Sequence, residues 1–377
     1  MPKRTNNEIT SYKLKSGKKR WKFQTYLGLD DKGQKVSVTR QGFRTYNEAI
    51  SEYNKLRAQG TQGYQKPKQI KVDEMYKLWF KSYKGQVKES TASKNLQVYT
   101  NHIKPIFGNQ YMDKIKVKSV QEFADEKAQK LVKYKDVVRQ LSTLYEYAIR
   151  LGYAKNNPVK RIIMPKKTSR PRRDIKHNVY TRKELNEFLE EAKHTNPRTY
   201  TYFKILASTG LRRSEALALT WKDIDLKNSK LQVNRTLAYG YNSKPIVQKP
   251  KSPMSHRTLP ISPNLKKVLI KYKDYQHKQK PCSIKLFYTI NGKWLALSKP
   301  AQWLDSIYKK NLSLKRITIH GFRHTFATLL INETNVKPKT VQMLMGHENI
   351  KMTMDIYTHI TKTNKDDAKR SLKALNI

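Results

Sequence analysis

Residues 318–360 read TIHGFRHTFATLLINETNVKPKTVQMLMGHENIKMTMDIYTHI and gather four of the nine histidines of the chain, one arginine and a tyrosine. Arginine neutralises phosphate oxygens, histidine moves protons or donates hydrogen bonds, and tyrosine offers a nucleophilic oxygen. This stretch therefore holds the side-chain types that an enzyme needs to attack a phosphodiester without a metal ion.

The first part of the stretch, residues 320–331, fits an amphipathic helix at about 100° per residue. Its apolar stripe carries Phe322, Phe326, Leu329 and Leu330. His320, Arg323 and His324 fall on the opposite side, where side chains three and four positions apart are neighbours. We predict a helix that buries its apolar face and presents a His/Arg cluster on the other.

A second helix follows in the same stretch. Pro338 suits its first turn, and Gly346 is suited to end it in the left-handed conformation. His347 then lies just past the helix end, and Tyr357 comes ten residues later. Any one of the 23 tyrosines is more often structural than catalytic, so the joint pattern carries the argument, and it needs a partner arginine elsewhere.

The composition indicates a nucleic-acid-binding protein of two or three domains. The chain has 377 residues, 78 Lys and Arg against 29 Asp and Glu, a net charge of +49 and 37% hydrophobic residues. Neutralisation of phosphates is the simplest reason to tolerate such self-repulsion. A single cysteine, Cys282, rules out an intramolecular disulfide and a thiolate zinc cluster. We find no apolar run long enough for a membrane span and no signal peptide, and we expect a reducing, DNA-containing compartment.

We predict an α+β, mainly α, multidomain fold. Residues 1–65 are predicted to form a small β-β-β-α domain, since apolar and polar residues alternate over 21–27, a turn follows at 30–33, and Thr45 with Glu48 suits a capping box. A DNA-reading role is favoured for this domain, although a merely basic decoration is the alternative. Residues 69–165 read as a helical domain, 166–177 as a basic linker, and 178–377 as a mixed α/β domain.

Within residues 178–377, the segment TGLRRSE places Arg212 between two helix ends, where a rigid phosphate clamp could sit. Glu215 is positioned to brace it or a neighbour. Residues 231–233, 245–248 and 256–261 read as strands of one small sheet. The predicted hairpin tip between the last two carries Lys249 and Lys251, and a lysine there could deliver a proton to a leaving oxygen. From spacing alone, solvated surface lysines are the better interpretation.

Taken in chain order, these segments resemble the tyrosine recombinases, the phage integrase family. The matching text is TGLRRSE, KSPMSHR, HGFRHT, LMGHENI and DIYTH, within about 178–377. The helical domain resembles the core-binding domain of that family. The first 65 residues resemble the arm-type DNA-binding domain of integrases from phages and conjugative transposons. Phe322 and Met345 stand where the family often has leucine.

The resemblance implies a mechanism for a site-specific integrase. Tyr357 is the implied nucleophile, giving a 3′-phosphotyrosyl intermediate. The other implied catalytic residues are Arg212 and Arg323 on the phosphate oxygens, His347 as a further donor, His320 as an aid to proton transfer at the tyrosine, and Lys251 as the acid, with Lys249 as its rival. Neither ATP, a cofactor nor a catalytic metal is implied.

The resemblance also implies partners and a location. These are double-stranded DNA at core and arm attachment sites, a homotetramer that passes through a Holliday junction, and an excisionase and a host DNA-bending protein, with no membrane. The implied location is the cytoplasm of a bacterial host, on DNA, where a prophage or mobile element is integrated and excised. Two alternatives remain: a DNA-binding regulator that kept the fold and lost the chemistry, and a type IB topoisomerase. The presence of all six side chains argues against the first, and the arm-like module argues against the second.

Overall fold

The computed structural model describes residues 7–14, 16–29, 34–63, 69–166, 178–250, 252–279, 283–334 and 336–361. The chain divides into two compact units, residues 1–82 with 98–165, and residues 83–97 with 166–377. Over the described ranges, no helix has the length and apolar character that a membrane crossing requires. The predicted α+β, mainly helical fold with a three-stranded N-terminal sheet is confirmed.

The N-terminal part of the first unit is an antiparallel sheet backed by one helix. Its elements are β1 (Ile9–Lys13), β2 (Lys19–Leu29), β3 (Lys35–Phe43) and α1 (Tyr46–Gly63), with the strands in the order β1-β2-β3. Phe23 on β2 stacks on Phe43 and meets Tyr53 of α1 edge-on, so the alternation along β2 buries one face against the helix. The Thr45 hydroxyl accepts from the Glu48 amide as predicted, whereas the Glu48 carboxylate accepts from the Arg44 amide. The predicted turn at 30–33 lies outside the described residues.

Residues 69–165 are helical, as the sequence predicts. They are α2 (Val72–Tyr83), α3 (Glu89–Val98), a π-helical turn (Tyr99–Ile103), α4 (Lys104–Phe107), α5 (Val117–Lys130) and α6 (Tyr134–Arg150). The spacing of Ser119 and Glu122 favours a capping box in the sequence, but α5 begins at Val117, so both side chains lie inside the helix. Residues 83–97, which hold most of α3, belong to the second unit.

The second unit is built around one large apolar core with helices on the outside. Its helices are α7 (Arg182–Lys193), α8 (Pro197–Thr209), α9 (Arg213–Leu217), α10 (Pro263–Gln279), α11 (Lys299–Lys310), α12 (Ile319–Glu333), α13 (Pro338–Met345) and α14 (Ile350–Thr361). Thr181 and Glu184 form a complete capping box at the start of α7. Pro338 occupies the first turn of α13, and Gly346 ends that helix in the left-handed conformation, with φ of 61°. The predicted start and end of α13 are confirmed.

The strands of the second unit correct the predicted single sheet. They are β4 (Ile224–Asp225), β5 (Lys230–Val233), β6 (Thr236–Tyr239), β7 (Pro245–Gln248) and β8 (Arg257–Pro260). β7 pairs with β6, whereas β8 pairs with β5 in a separate β4-β5-β8 sheet. The segment with Lys249 and Lys251 is therefore a connection between two sheets, and the predicted hairpin tip is wrong. The sequence signal failed because β6, which takes the pairing partner of β7, was not recognised as a strand.

Helix α12 also differs from the simple two-faced prediction. Phe322 is fully buried in the large core, and Phe326 packs into a second cluster with residues of α13 and α14. Arg323 of the predicted His/Arg face, however, is only 2% exposed, whereas His320 and His324 keep solvent-accessible surface. Backbone carbonyls of Gly210 and Met345 accept the hydrogen bonds of the buried arginine.

Candidate active site

Arg212 lies where the chain turns from α8 into α9. Gly210 ends α8 with φ of 62°, and a Cβ at this position would lie 2.5 Å from the Phe326 ring. The close approach and the left-handed backbone both demand glycine. Arg212 then occupies the cap position of α9, and its side chain stays one-third exposed. Its guanidinium therefore faces a solvent-accessible space from a rigid backbone.

Glu215 braces this arginine, as the sequence predicts. Its carboxylate accepts from the Arg212 amide at 3.0 Å and from Arg212 Nη1 at 2.7 Å. The same carboxylate accepts from Nη2 of Arg257 at 3.0 Å. Burial alone would raise the pKa of the Glu215 carboxyl, but the Arg257 and Arg212 guanidinium groups together hold it below its ordinary value.

Arg257 is the residue that sequence reasoning missed as part of this network. Its side chain is only 5% exposed, and its Nε donates to the Leu344 carbonyl at 2.8 Å. It therefore joins β8 to the end of α13 as well as to Glu215. A signal was available, since Arg257 closes the motif KSPMSHR, but the spacing gave no reason to separate it from a surface arginine.

Arg323 joins the segment that precedes Arg212 to the segment that precedes His347. Its Nη1 donates to the Gly210 carbonyl at 2.7 Å, and its Nη2 donates to the Met345 carbonyl. Burial, and then the positive charge of Arg212, lower the pKa of the Arg323 guanidinium to about 9, so it remains charged at neutral pH. One buried side chain therefore fixes the backbone beside Arg212 and beside Gly346.

His347 follows Gly346 directly, and Arg212 Nη2 donates to the Gly346 carbonyl at 2.9 Å. The His347 Nδ1 shares a hydrogen bond of 3.0 Å with the Thr353 hydroxyl. Burial and the nearby arginines lower the pKa of His347 to about 3, so its ring is neutral at physiological pH. A neutral imidazole fixed through Nδ1 can use its other nitrogen toward a ligand.

His320 and His324 meet edge-on on α12, with ring centroids 4.6 Å apart. Burial and the neighbouring positive groups lower the pKa of His320 to about 4, which makes it a proton acceptor at neutral pH. His320 and Arg212 border one cavity of about 650 Å³. His324 Nδ1 is buried and has no hydrogen-bond partner among the described residues.

Tyr357 lies on α14, where its ring packs partly into the cluster of α12 and α13. Its hydroxyl donates to the Val336 carbonyl at 2.8 Å. Burial raises the pKa of this hydroxyl, so the tyrosine is protonated in this arrangement. In this structure the hydroxyl proton is directed at a backbone carbonyl.

Of the two candidate lysines, Lys251 lies outside the described residues. Lys249 borders a cavity of about 300 Å³ that is also lined by Arg212, Glu215 and Gly346. Arg212 and Arg323 thus lie next to His347 because they donate to the carbonyls of Gly210, Met345 and Gly346. His320 borders the same cavity as Arg212. Across the described ranges, no three His, Cys, Asp or Glu side chains are arranged to hold a metal ion.

The charges in this network are unbalanced. Arg212, Arg257 and Arg323 carry three positive charges, and among the described residues Glu215 is the one carboxylate that accepts hydrogen bonds from them. Two neutral histidines add hydrogen-bonding nitrogens without further positive charge. A site with excess guanidinium charge and a partly exposed Arg212 is suited to an anion such as a phosphate.

Comparison with known proteins matches two family models to the chain. The model for the phage integrase family matches residues 178–364, and the model for its N-terminal SAM-like domain matches residues 71–128. A tyrosine recombinase XerC-like protein of Caldanaerobacter subterraneus subsp. tengcongensis is 28% identical over 98% of this chain and 99% of its own length.

Solved structures show the same fold. The Tn1549 transposon integrase in complex with a circular intermediate DNA aligns over 81% of this chain and 99% of its own, with a TM-score of 0.63 and 23% identity. A lambda integrase tetramer bound to a Holliday junction aligns over 93% of this chain and 94% of its own, with a TM-score of 0.57 and 17% identity. At these identities the likeness establishes the fold.

Proposed function

The chain belongs to the phage integrase family of tyrosine recombinases, and on that premise we propose that it is a site-specific integrase that cuts and rejoins DNA. The observation that carries the proposal is the carbonyl network of Arg212 and Arg323. Arg212 donates to the Gly346 carbonyl, and Arg323 donates to the Gly210 and Met345 carbonyls, so segments more than a hundred positions apart are held together, which supports an anion site there. This assembly supports the residue roles that the family motifs imply.

In the proposed reaction, a scissile phosphate binds against Arg212, with Arg323 and His347 completing the set of donors. The Tyr357 oxygen attacks the phosphorus, its proton passes to a base, and the bond to the 5′ oxygen breaks. His320 suits the role of that base because its pKa of about 4 leaves the ring unprotonated at neutral pH. The guanidinium groups stabilise the charge that develops on the non-bridging oxygens.

The leaving 5′ oxygen takes a proton from Lys251, or from its rival Lys249, and a 3′-phosphotyrosyl bond remains. That bond conserves the phosphodiester linkage, so a 5′ hydroxyl of another strand can reverse the attack and release the tyrosine. Two such exchanges on paired duplexes pass through a Holliday junction. Neither step calls on ATP, a cofactor or a catalytic metal.

The proposal also takes over the domain roles, the partners and the location that the family resemblance implies. Residues 1–65 bind arm-type sites, 69–165 bind the core site, 166–177 form the linker, and 178–377 carry out catalysis. The enzyme acts as a homotetramer on double-stranded DNA in the bacterial cytoplasm, with an excisionase and a host DNA-bending protein as further partners. Its substrate is a prophage or a conjugative transposon.

A nicked suicide duplex tests the proposal. The attachment site comes from sequencing the DNA that flanks the gene, and the nick traps the covalent intermediate because a short fragment diffuses away. We expect a protein–DNA adduct on a denaturing gel with the wild type, also in EDTA, and none with Tyr357→Phe. Tyr111→Phe, which removes an exposed hydroxyl, is the matched control and should form the adduct normally.

Three results would contradict the proposal in different ways. An adduct with Tyr357→Phe would mean that another residue is the nucleophile. DNA binding by the wild type without any adduct would favour the regulator that lost its chemistry. Loss of the adduct in EDTA would mean that a metal takes part.

A further inference from the structure

The second unit includes a short segment from far upstream. Residues 83–97 belong to the same compact unit as residues 166–377, and the start of α3 contacts the β6–β7 hairpin. Lys88, directly before α3, donates from Nζ to the Lys249 carbonyl at 3.0 Å and to the Pro250 carbonyl at 2.9 Å. One ammonium group thus binds two successive carbonyls where the chain leaves β7.

Neighbouring side chains of α3 extend this contact along β7. The Ser90 hydroxyl donates to the Gln248 side chain at 2.8 Å, at the end of the strand. The buried Ser93 hydroxyl donates to the Gly240 carbonyl at 2.7 Å, in the turn before the strand. The Tyr241 amide donates to the Glu89 carboxylate at 3.2 Å in the same turn. Residues 89–93 of α3 therefore contact the turn that follows β6 and the end of β7.

The position of the Lys88 contact gives it a consequence for catalysis. The two carbonyls belong to the residues that immediately precede Lys251 in the sequence, and one of them belongs to Lys249 itself. The connection from β7 to β8 passes between two sheets, so ladder hydrogen bonds do not hold it as they hold a strand. Lys88 also borders the cavity that Arg212 and Lys249 share.

We propose that Lys88 is a positioning residue for the lysine that protonates the leaving 5′ oxygen. By binding the carbonyls of Lys249 and Pro250, it fixes the direction in which the connection leaves β7, and hence the reach of the general acid. This inference rests on the proposed recombinase function. Misplacement of a catalytic group by about 1 Å can cost about 10²-fold in rate, so a loose connection has a measurable effect.

The test is single-turnover cleavage of the suicide duplex with two kinds of scissile linkage. In a 5′-bridging phosphorothiolate the P–S bond breaks and the thiolate leaves without a proton, so a defect in the general acid no longer matters. We expect Lys88→Met to cleave the ordinary phosphate about 10-fold to 10²-fold more slowly and the phosphorothiolate at nearly the wild-type rate. Lys88→Arg, which keeps two donors, should recover part of the loss.

A double-mutant cycle separates positioning from an independent role. Lys251→Ala and Lys249→Ala are measured first, and the one whose defect the phosphorothiolate rescues is the acid. If Lys88 acts through that lysine, adding Lys88→Met to its alanine variant lowers the rate no further. Lys94→Met, at an exposed lysine of the same helix, is the matched control and should cleave both linkages normally.

Several outcomes would overturn the inference. Normal cleavage of the phosphate by Lys88→Met would mean that the contact does not position the acid. A defect that the phosphorothiolate leaves in place, or that adds to the alanine variant, would indicate a direct contact between Lys88 and DNA. Absence of any adduct with the wild type would instead overturn the proposed function, so the two failures are distinguishable.

Discussion

Replacing Glu215 with glutamine tests the charge network at the centre of the candidate site. The substitution keeps the size of the side chain and removes the negative charge that joins Arg212 to Arg257. Glu215 is 3% exposed, so water cannot take over its role. We therefore expect a loss of stability as well as of cleavage.

The magnitude follows from the burial of the two partners. Removing one partner of a buried ion pair costs about 3–5 kcal/mol, because the remaining charge is left uncompensated. The Arg257 side chain is 5% exposed and falls under this estimate, whereas Arg212 is one-third exposed and is partly solvated. We expect Glu215→Gln to lower the free energy of unfolding by about 3 kcal/mol, at the lower end of the range.

The buried Glu215–Arg257 pair also predicts how the stability difference between the wild type and Glu215→Gln depends on pH. The folded-state pKa of Glu215 lies below its ordinary value of 4.5, so its charge stabilises the folded state at pH values above 4.5. That stabilisation is lost as the pH falls through the folded-state pKa. The difference between wild type and Glu215→Gln should therefore be constant near neutral pH and shrink below pH 4.5.

Urea unfolding followed by tryptophan fluorescence measures this effect, since three of the five tryptophans, Trp221, Trp294 and Trp303, lie in the second unit. Glu187→Gln, at an exposed glutamate of α7, is the matched control and should change stability by less than about 0.5 kcal/mol. A loss below about 1 kcal/mol for Glu215→Gln would refute the buried ion-pair reasoning. A loss of the expected size that did not vary with pH would refute its electrostatic origin.

Three further predictions concern single features of the second unit and the charge of the whole chain. Gly210→Ala should destabilise the protein by about 1–3 kcal/mol in thermal unfolding, since alanine is strained at this φ and its Cβ meets Phe326; unchanged stability would contradict the packing. Thr353→Val should slow adduct formation while DNA binding persists, because His347 loses the partner that orients its ring. An unchanged cleavage rate would show that this hydrogen bond is dispensable. DNA binding by this chain of net charge +49 should weaken steeply as the salt concentration rises. For six or more phosphate contacts the affinity should fall by about 10³-fold or more between about 50 and 200 mM salt. A binding titration with a flat salt dependence would argue against phosphate neutralisation.

The amino-acid sequence by itself determined the local elements and the list of candidate residues. Helix periodicity, capping pairs and helix-ending glycines depend on neighbours within a few positions. The cap at Thr45, the helix after Thr318 and the left-handed end of α13 are therefore readable without the tertiary structure. The His, Arg and Tyr cluster of residues 318–360 is likewise visible because its spacing is local.

Only the tertiary structure decided how those candidates are held. Arg323 looked like an exposed ligand on a helix face, yet it is buried, because carbonyls from Gly210 and Met345 reach it from segments distant in the chain. The role of Arg257, the pairing of β7 with β6, and the contact of Lys88 with the chain leaving β7 have the same origin. Each depends on long-range hydrogen bonds, whose partners no local spacing specifies, and these bonds convert a set of residues into one site.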